Sequence, residues 1–413
     1  MFHKLVKFFA LTLALLIGLA PVMAQDGGEF TFTGWSLQEG ATRDVILGAV
    51  NEYSEATGAN ITDVSYPYNE YLNQILLQAR GGNLSGAVQL DIAWLAPLAA
   101  MGVLKDLGPA AEGAGYTDAA LSSGQYDGVQ YGLPWTTASI GLVANTQLLE
   151  AAGVTELPAT IAEFEVALEA LKAYDPDVIP YAGMTDTAQL KDIIPWIWTF
   201  GGQVFDAEGN VALNDAGTIA AVEWYAGLVE RGLVAPDMDR FDARQLFAQG
   251  RVGFYDDAIV ARGLVTSTAP ESGLDQFVVP VSRPVLNEGD TPQALLWGHI
   301  IVVIDDENGD AAAEFAKWIT TDEPTVLNYF EQMALPPTTQ AALDSETVQS
   351  NTYVADWAVL STATARTNPF WPYTEAAAME TTLNEAVQAV LTGDMGAEDA
   401  MNEAHEDIAD LIG

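Results

Sequence analysis

Residues 29–95 read EFTFTGWSLQEGATRDVILGAVNEYSEATGANITDVSYPYNEYLNQILLQARGGNLSGAVQLDIAWL, and two alternating periodicities in this stretch decide the fold. EFTFTGW alternates apolar and polar residues with aromatic and β-branched members, which predicts a strand ending at Trp35. In TRDVILGAVNEYSEATG the helical spacing of Val45, Ala49 and Tyr53 stops at Gly58. ANITDVSY is a second strand, NEYLNQILLQARGG a second helix closed by Gly81 and Gly82, and LDIAWL a third strand. Strand, helix, strand, helix, strand is the pattern of a parallel sheet with helices on its faces. Such sheets bind ligands beyond the carboxyl ends of their strands. Trp35, Tyr68 and Trp94 fall at or just past those ends.

Further along, residues 131–145 read YGLPWTTASIGLVAN. Pro134 predicts a tight turn that carries Trp135 and feeds the strand IGLVAN. Trp135 then has two readings: a core side chain filling a gap between elements, or the wall of a cleft. The pattern restarts here, with an amphipathic helix in TIAEFEVALEALKAY, a hairpin in VFDAEGNVALN, and helices in TIAAVEWYAGLVERG and ARQLFAQG. VGFYDD, DQFVVPV and LLWGHIIVVIDD are strands, DAAAEFAKWITT is a helix, and helical segments close the chain. With no long linker between them, two interwoven α/β lobes are expected, since 413 residues exceed the ~100–150 of one ordinary domain.

The first 24 residues differ from the rest: Lys4 and Lys7 precede FFALTLALLIGLA, and PVMA ends in small residues at Val22 and Ala24. This predicts a secretory signal peptide, residues 1–24, with the exported chain starting at Gln25. No cysteine is present, so neither a lipid anchor at the cleavage site nor a disulfide framework is expected, and the protein is expected free in the periplasm. Beyond the signal, 13 Lys and Arg stand against 57 Asp and Glu, a balance of −44. Nucleic acid is excluded as a partner, because phosphate binding needs a basic footprint. An anionic membrane surface is disfavoured for the same reason.

Catalytic signatures are missing. There is no nucleophile elbow, no H-E-x-x-H and no P-loop, and only His299 and His405 follow the signal. A histidine-based zinc site is short of ligands, and no cofactor or metal is expected. DDENGD at 305–310 reads as helix capping by Asp or Asn rather than a calcium loop. Glycoside hydrolysis stays open as an alternative, because it needs only two suitably spaced carboxylates.

Aromatic placement carries more. Trp35, Trp94, Trp135, Trp297 and Trp371 sit at strand ends or bends beside Gly, Pro or polar residues, whereas Trp224 and Trp318 lie on helix faces. Flat apolar walls with a few hydrogen-bonding groups suit a sugar, which offers a C–H face and a hydroxyl edge.

YDGVQYGLPWTTASIGLVANTQLLEAAGV, LPATIAEFEVAL, GGQVFD, FAQGRVGFY, LLWGHIIVVIDD and VLTGDMGAEDAMNEA occur in an order that resembles the extracellular solute-binding proteins of ABC importers, in the sugar-binding family that includes the maltose-binding protein. The resemblance covers nearly the whole chain after residue 24. It implies an α/β fold of two hinged lobes, each a central sheet with flanking helices, with ligand in the cleft between them. The lobes would comprise residues 25–136 with 296–336 and 137–295 with 337–413, the first crossing lying near 134–138 with Pro134 as hinge. It implies a monomer without enzymatic activity that captures a sugar, oligosaccharide or polyol and delivers it to the membrane permease subunits. The ligand-binding residues expected on this reading are Trp35, Glu39, Tyr68, Trp94, Trp135, Tyr255, Asp256, Trp297, His299 and Trp371. Glu39, Asp256 and Asp257 at the cleft edges leave a cationic ligand such as a polyamine as the alternative.

Overall fold

In the computed structural model, which describes residues 27–40 and 42–412, Glu29–Thr33 pairs in parallel with Asn60–Val64 on one side and Ala87–Asp91 on the other. The expected signal peptide lies outside the described residues. Helices Arg43–Thr57 and Tyr68–Gly81 make the two connections, as the periodicities require. Gly58 and Gly82 end them at φ 78° and 67°, the left-handed conformation that an L side chain resists.

The strand Ala294–Val303 then runs antiparallel between Ala87–Asp91 and the long strand Gly132–Asn145. Gly132–Asn145 changes partners along its length. Through Ile140 it pairs with Ala294–Val303, and from Gly141 with Val252–Asp257 and Val278–Val281. Ile179–Ala182 completes this second half, parallel to Val252–Asp257. The nine-stranded sheet thus has two halves, and a single strand belongs to both.

Here the expectation of a tight turn at YGLPW is corrected: Pro134 and Trp135 lie inside the long strand. Pro134 sits opposite Ile300 and Thr136 opposite His299, so Trp135 is the extra residue of a β-bulge. A proline cannot donate to the ladder, and a bulge is one of the few places where a strand accepts one. A third segment is fastened here. Thr136 Oγ1 donates to the Pro336 carbonyl (2.9 Å), and Thr338 Oγ1 donates back to the Pro134 carbonyl (2.7 Å).

The expectation of a third strand over LDIAWL is also corrected: the strand ends at Asp91, whose side chain accepts from the Ala93 N–H and turns Ile92–Trp94 into a 3-10 helix. Thr160 and Glu163 form a reciprocal capping box that starts the helix Ile161–Tyr174. Phe205 and Val211 bridge antiparallel around the predicted hairpin turn. At residues 305–310 the expected cap is displaced: Asn308 occupies the N-cap position of helix Gly309–Thr321 without a side-chain capping bond, and Asp306 accepts from the Asn308 N–H instead. Two apolar clusters fill the interior, the smaller built around Trp35, Tyr71 and Trp94.

Candidate functional site

Between the two halves of the sheet lies a cleft of about 570 Å³, open mouth included.

Trp35 and Ser36 begin one wall, placed there by a short 3-10 turn that follows the first strand. Trp35 meets Tyr68, Trp94 and His299 edge to face, at centroid distances of 5.6, 5.4 and 4.7 Å. Trp297 lies against the same imidazole at 4.5 Å. Gln89 fixes the state of that ring. Its Oε1 accepts from the Ser36 N–H, so its Nε2 donates to Ser36 Oγ and to His299 Nδ1, leaving the imidazole proton on Nε2. Burial, with the nearby Arg244 charge, holds the His299 pKa down at about 3, so the ring is a neutral donor at neutral pH. Glu39 completes this wall. Burial raises its pKa, against the opposing pull of Arg244.

The facing wall rests on the helix Arg240–Ala248, which Asp239 caps by accepting from the Asp242 N–H at 2.7 Å. Arg240 and Arg244 are one turn apart and so share a face, while Ala243, Phe247 and Ala248 are buried. Asp257 clamps Arg244 through two bonds, Nε to Oδ2 at 2.9 Å and Nη2 to Oδ1 at 2.7 Å. Arg240 pairs with Asp192 through Nη2 alone. Phe241 faces Tyr68 across the cleft at 6.2 Å.

Five of the ten residues expected in the site line the cleft: Trp35, Glu39, Tyr68, Trp297 and His299. The other five do not reach its lining. Trp94 stands behind Tyr68 and stacks on Tyr71 at 5.8 Å. Tyr255 packs beneath the arginine helix against Phe247 at 4.5 Å. Asp256 accepts from Arg283 Nη2 at 2.5 Å and from the Tyr181 hydroxyl, inside the second half. Trp371 rests on the smaller apolar cluster. Trp135, 3% exposed, stacks on Tyr329 at 4.9 Å and 13°, because the bulge turns it into the core toward Phe32. Sequence reasoning missed Arg240, Arg244, Gln189 and Tyr329. Two arginines at i and i+4 in a chain with 15 basic residues were a usable signal for the first pair. Nothing in the sequence marked Tyr329. Among the described residues no group of three or more His, Asp or Glu side chains is arranged to hold a metal, and no helix is long and apolar enough to cross a membrane.

The fold has close structural relatives. The GacH receptor of Streptomyces glaucescens superposes with a TM-score of 0.84 at 20% identity, covering 93% of this chain and 98% of that one. Maltose-bound MalE3 of T. maritima gives 0.84 at 19%, covering 93% and 100%, and a ribitol-bound ABC transporter solute-binding protein of Agrobacterium radiobacter gives 0.78 at 21%, covering 94% and 99%. In sequence, the diacetylchitobiose binding protein DasA of Streptomyces coelicolor is 24% identical over 221 residues, 51% of this chain and 50% of that one. The sequence pattern of the bacterial extracellular solute-binding proteins spans residues 48–356, three quarters of the chain and both halves of the sheet, and the protein belongs to that family.

Proposed function

We propose that this protein captures a neutral sugar, oligosaccharide or polyol in the cleft and hands it to the permease subunits of an ABC importer. One observation carries the reading: aromatic side chains, Trp35, Trp297 and Tyr68 on one wall and Phe241 on the other, line the cleft together with hydrogen-bonding side chains from both walls. Similar folds are described with acarbose, maltose, D-tagatose and ribitol bound, which supports the same ligand chemistry. A polyamine fits less well, because Arg240 and Arg244 both line the cleft. We assign the protein a binding role rather than a catalytic one, and periplasmic residence as a monomer after removal of residues 1–24.

On this reading the lobes divide as 25–136 with 296–336 and 137–295 with 337–413. Closure turns about the three segments that run together at Pro134–Thr136, His299–Ile300 and Pro336–Thr338. Ligand that touches both walls favours the closed form, which the permease reads. The test is a thermal-shift panel of maltose, D-tagatose, ribitol and spermidine. A bound carbohydrate at a hundredfold excess over Kd adds about 2.7 kcal/mol of stability and raises Tm. A shift with spermidine alone, or with none of the four, would refute the carbohydrate reading, and release of a chromophore from chromogenic glycosides would refute the non-enzymatic one.

A further inference from the structure

Two residues of the cleft lining each carry a buried side-chain atom with no protein hydrogen-bond partner, Tyr329 Oη and Arg240 Nε. Tyr329 is 5% exposed, on the helix Glu323–Met333 of the first wall, and its ring is held flat against Trp135. A stacked ring cannot swing its hydroxyl to a partner elsewhere. Arg240 is on the opposite wall and is held by Asp192 on one side only, which leaves Nε free. Buried groups without partners are rare in folded proteins, because each gives up water and gains nothing in return. Here the residues that carry two of them line the same cleft on facing walls.

We propose that Tyr329 and Arg240 are specificity-determining residues, each completing its hydrogen bonds on an oxygen of the bound ligand. This rests on the carbohydrate reading of the cleft and sharpens it. Arg240 Nε–H can only donate, so the ligand must present a lone-pair oxygen to it. Tyr329 Oη can donate and accept, so it takes a hydroxyl. A sugar or polyol supplies both from oxygens along one carbon chain, and a protonated amine supplies no acceptor for Arg240. Because the two residues stand on different walls, one ligand satisfies both only when the walls close on it.

The experiment is calorimetric titration of the full chain with the tightest binder among maltose, D-tagatose and ribitol. Tyr329→Phe and Arg240→Lys are each expected to bind about tenfold more weakly, the loss of one well-formed hydrogen bond. Tyr353→Phe removes another buried, unpartnered hydroxyl that does not line the cleft and should bind as wild type does. In the ligand-free protein Tyr329→Phe should melt at the same temperature as wild type or higher. Wild-type affinity in Tyr329→Phe overturns the proposal while leaving the carbohydrate reading intact. A lower ligand-free Tm in that variant also overturns it, by revealing a structural partner for the hydroxyl. If wild type binds none of the three ligands, both the proposal and the reading fall.

Discussion

Trp135 shows how one residue can support a cleft that it does not line. Its indole lies between Phe32 and Tyr329, so it fills the first half's core and at the same time backs a ring of the cleft lining. Trp135→Ala should therefore cost about 3–5 kcal/mol in denaturant unfolding, as aromatic truncations in cores do. A variant as stable as wild type would place the side chain outside the core. The sequence showed that Trp135 was unusual but not why. Proline before tryptophan reads locally as a turn, and only the pairing with His299 and Ile300, more than 150 residues away, makes it a bulge. Trp35 and Tyr68 line the cleft just past the ends of the first two strands, as their position suggested, whereas Trp297 and His299 line it from inside the strand Ala294–Val303.

At the level of the element, the helix Arg240–Ala248 positions two guanidinium groups, and its strength lies in the strand below it. Asp257 is fully buried and holds Arg244 in a fork, while Asp256 turns the other way to Arg283. Neighbouring residues on a strand face opposite sides, so two consecutive aspartates serve two different arginines. Asp256 and Asp257 read from the sequence as cleft-edge acids, yet their charges are spent on these pairs. The ion-pair partners lie 13 and 27 residues away, distances at which charge patterning gives no guide. Asp257→Asn leaves the half-buried Arg244 without its counter-charge and should destabilise the protein in urea unfolding, by less than the ~3–5 kcal/mol of a fully buried pair. Adding Arg244→Gln to that variant should recover part of the loss. No recovery would show that the pair is not what holds the helix in place.

Across the whole molecule, charge and connectivity dominate. A formal net charge of −42 makes the folded state repel itself, and salt screens that repulsion within about 10 Å at 0.1 M. The melting temperature should rise with sodium chloride, most steeply below that concentration, and a flat or falling curve would contradict the electrostatic account. The strands and helices of the opening β–α–β stretch were legible, since their faces are periodic, whereas the strand Ile179–Ala182 and the helices Ile194–Thr199 and Glu323–Met333 were not read from the sequence. The place where the sheet changes partners was not legible, because the switch between Ile140 and Gly141 falls inside one continuous strand whose partners lie more than 100 residues away. That shared strand has a temporal consequence. The inner strand of the first half, Ala87–Asp91, finds its neighbour in Ala294–Val303, with Gln89 bonded to His299 at a separation of 210 residues. The first half cannot complete its sheet until the chain has been synthesised past residue 303. Loop closure over such a span slows folding, so the sheet of the first half is expected to close late, and its amides should gain protection from hydrogen exchange only after the chain past residue 303 is available.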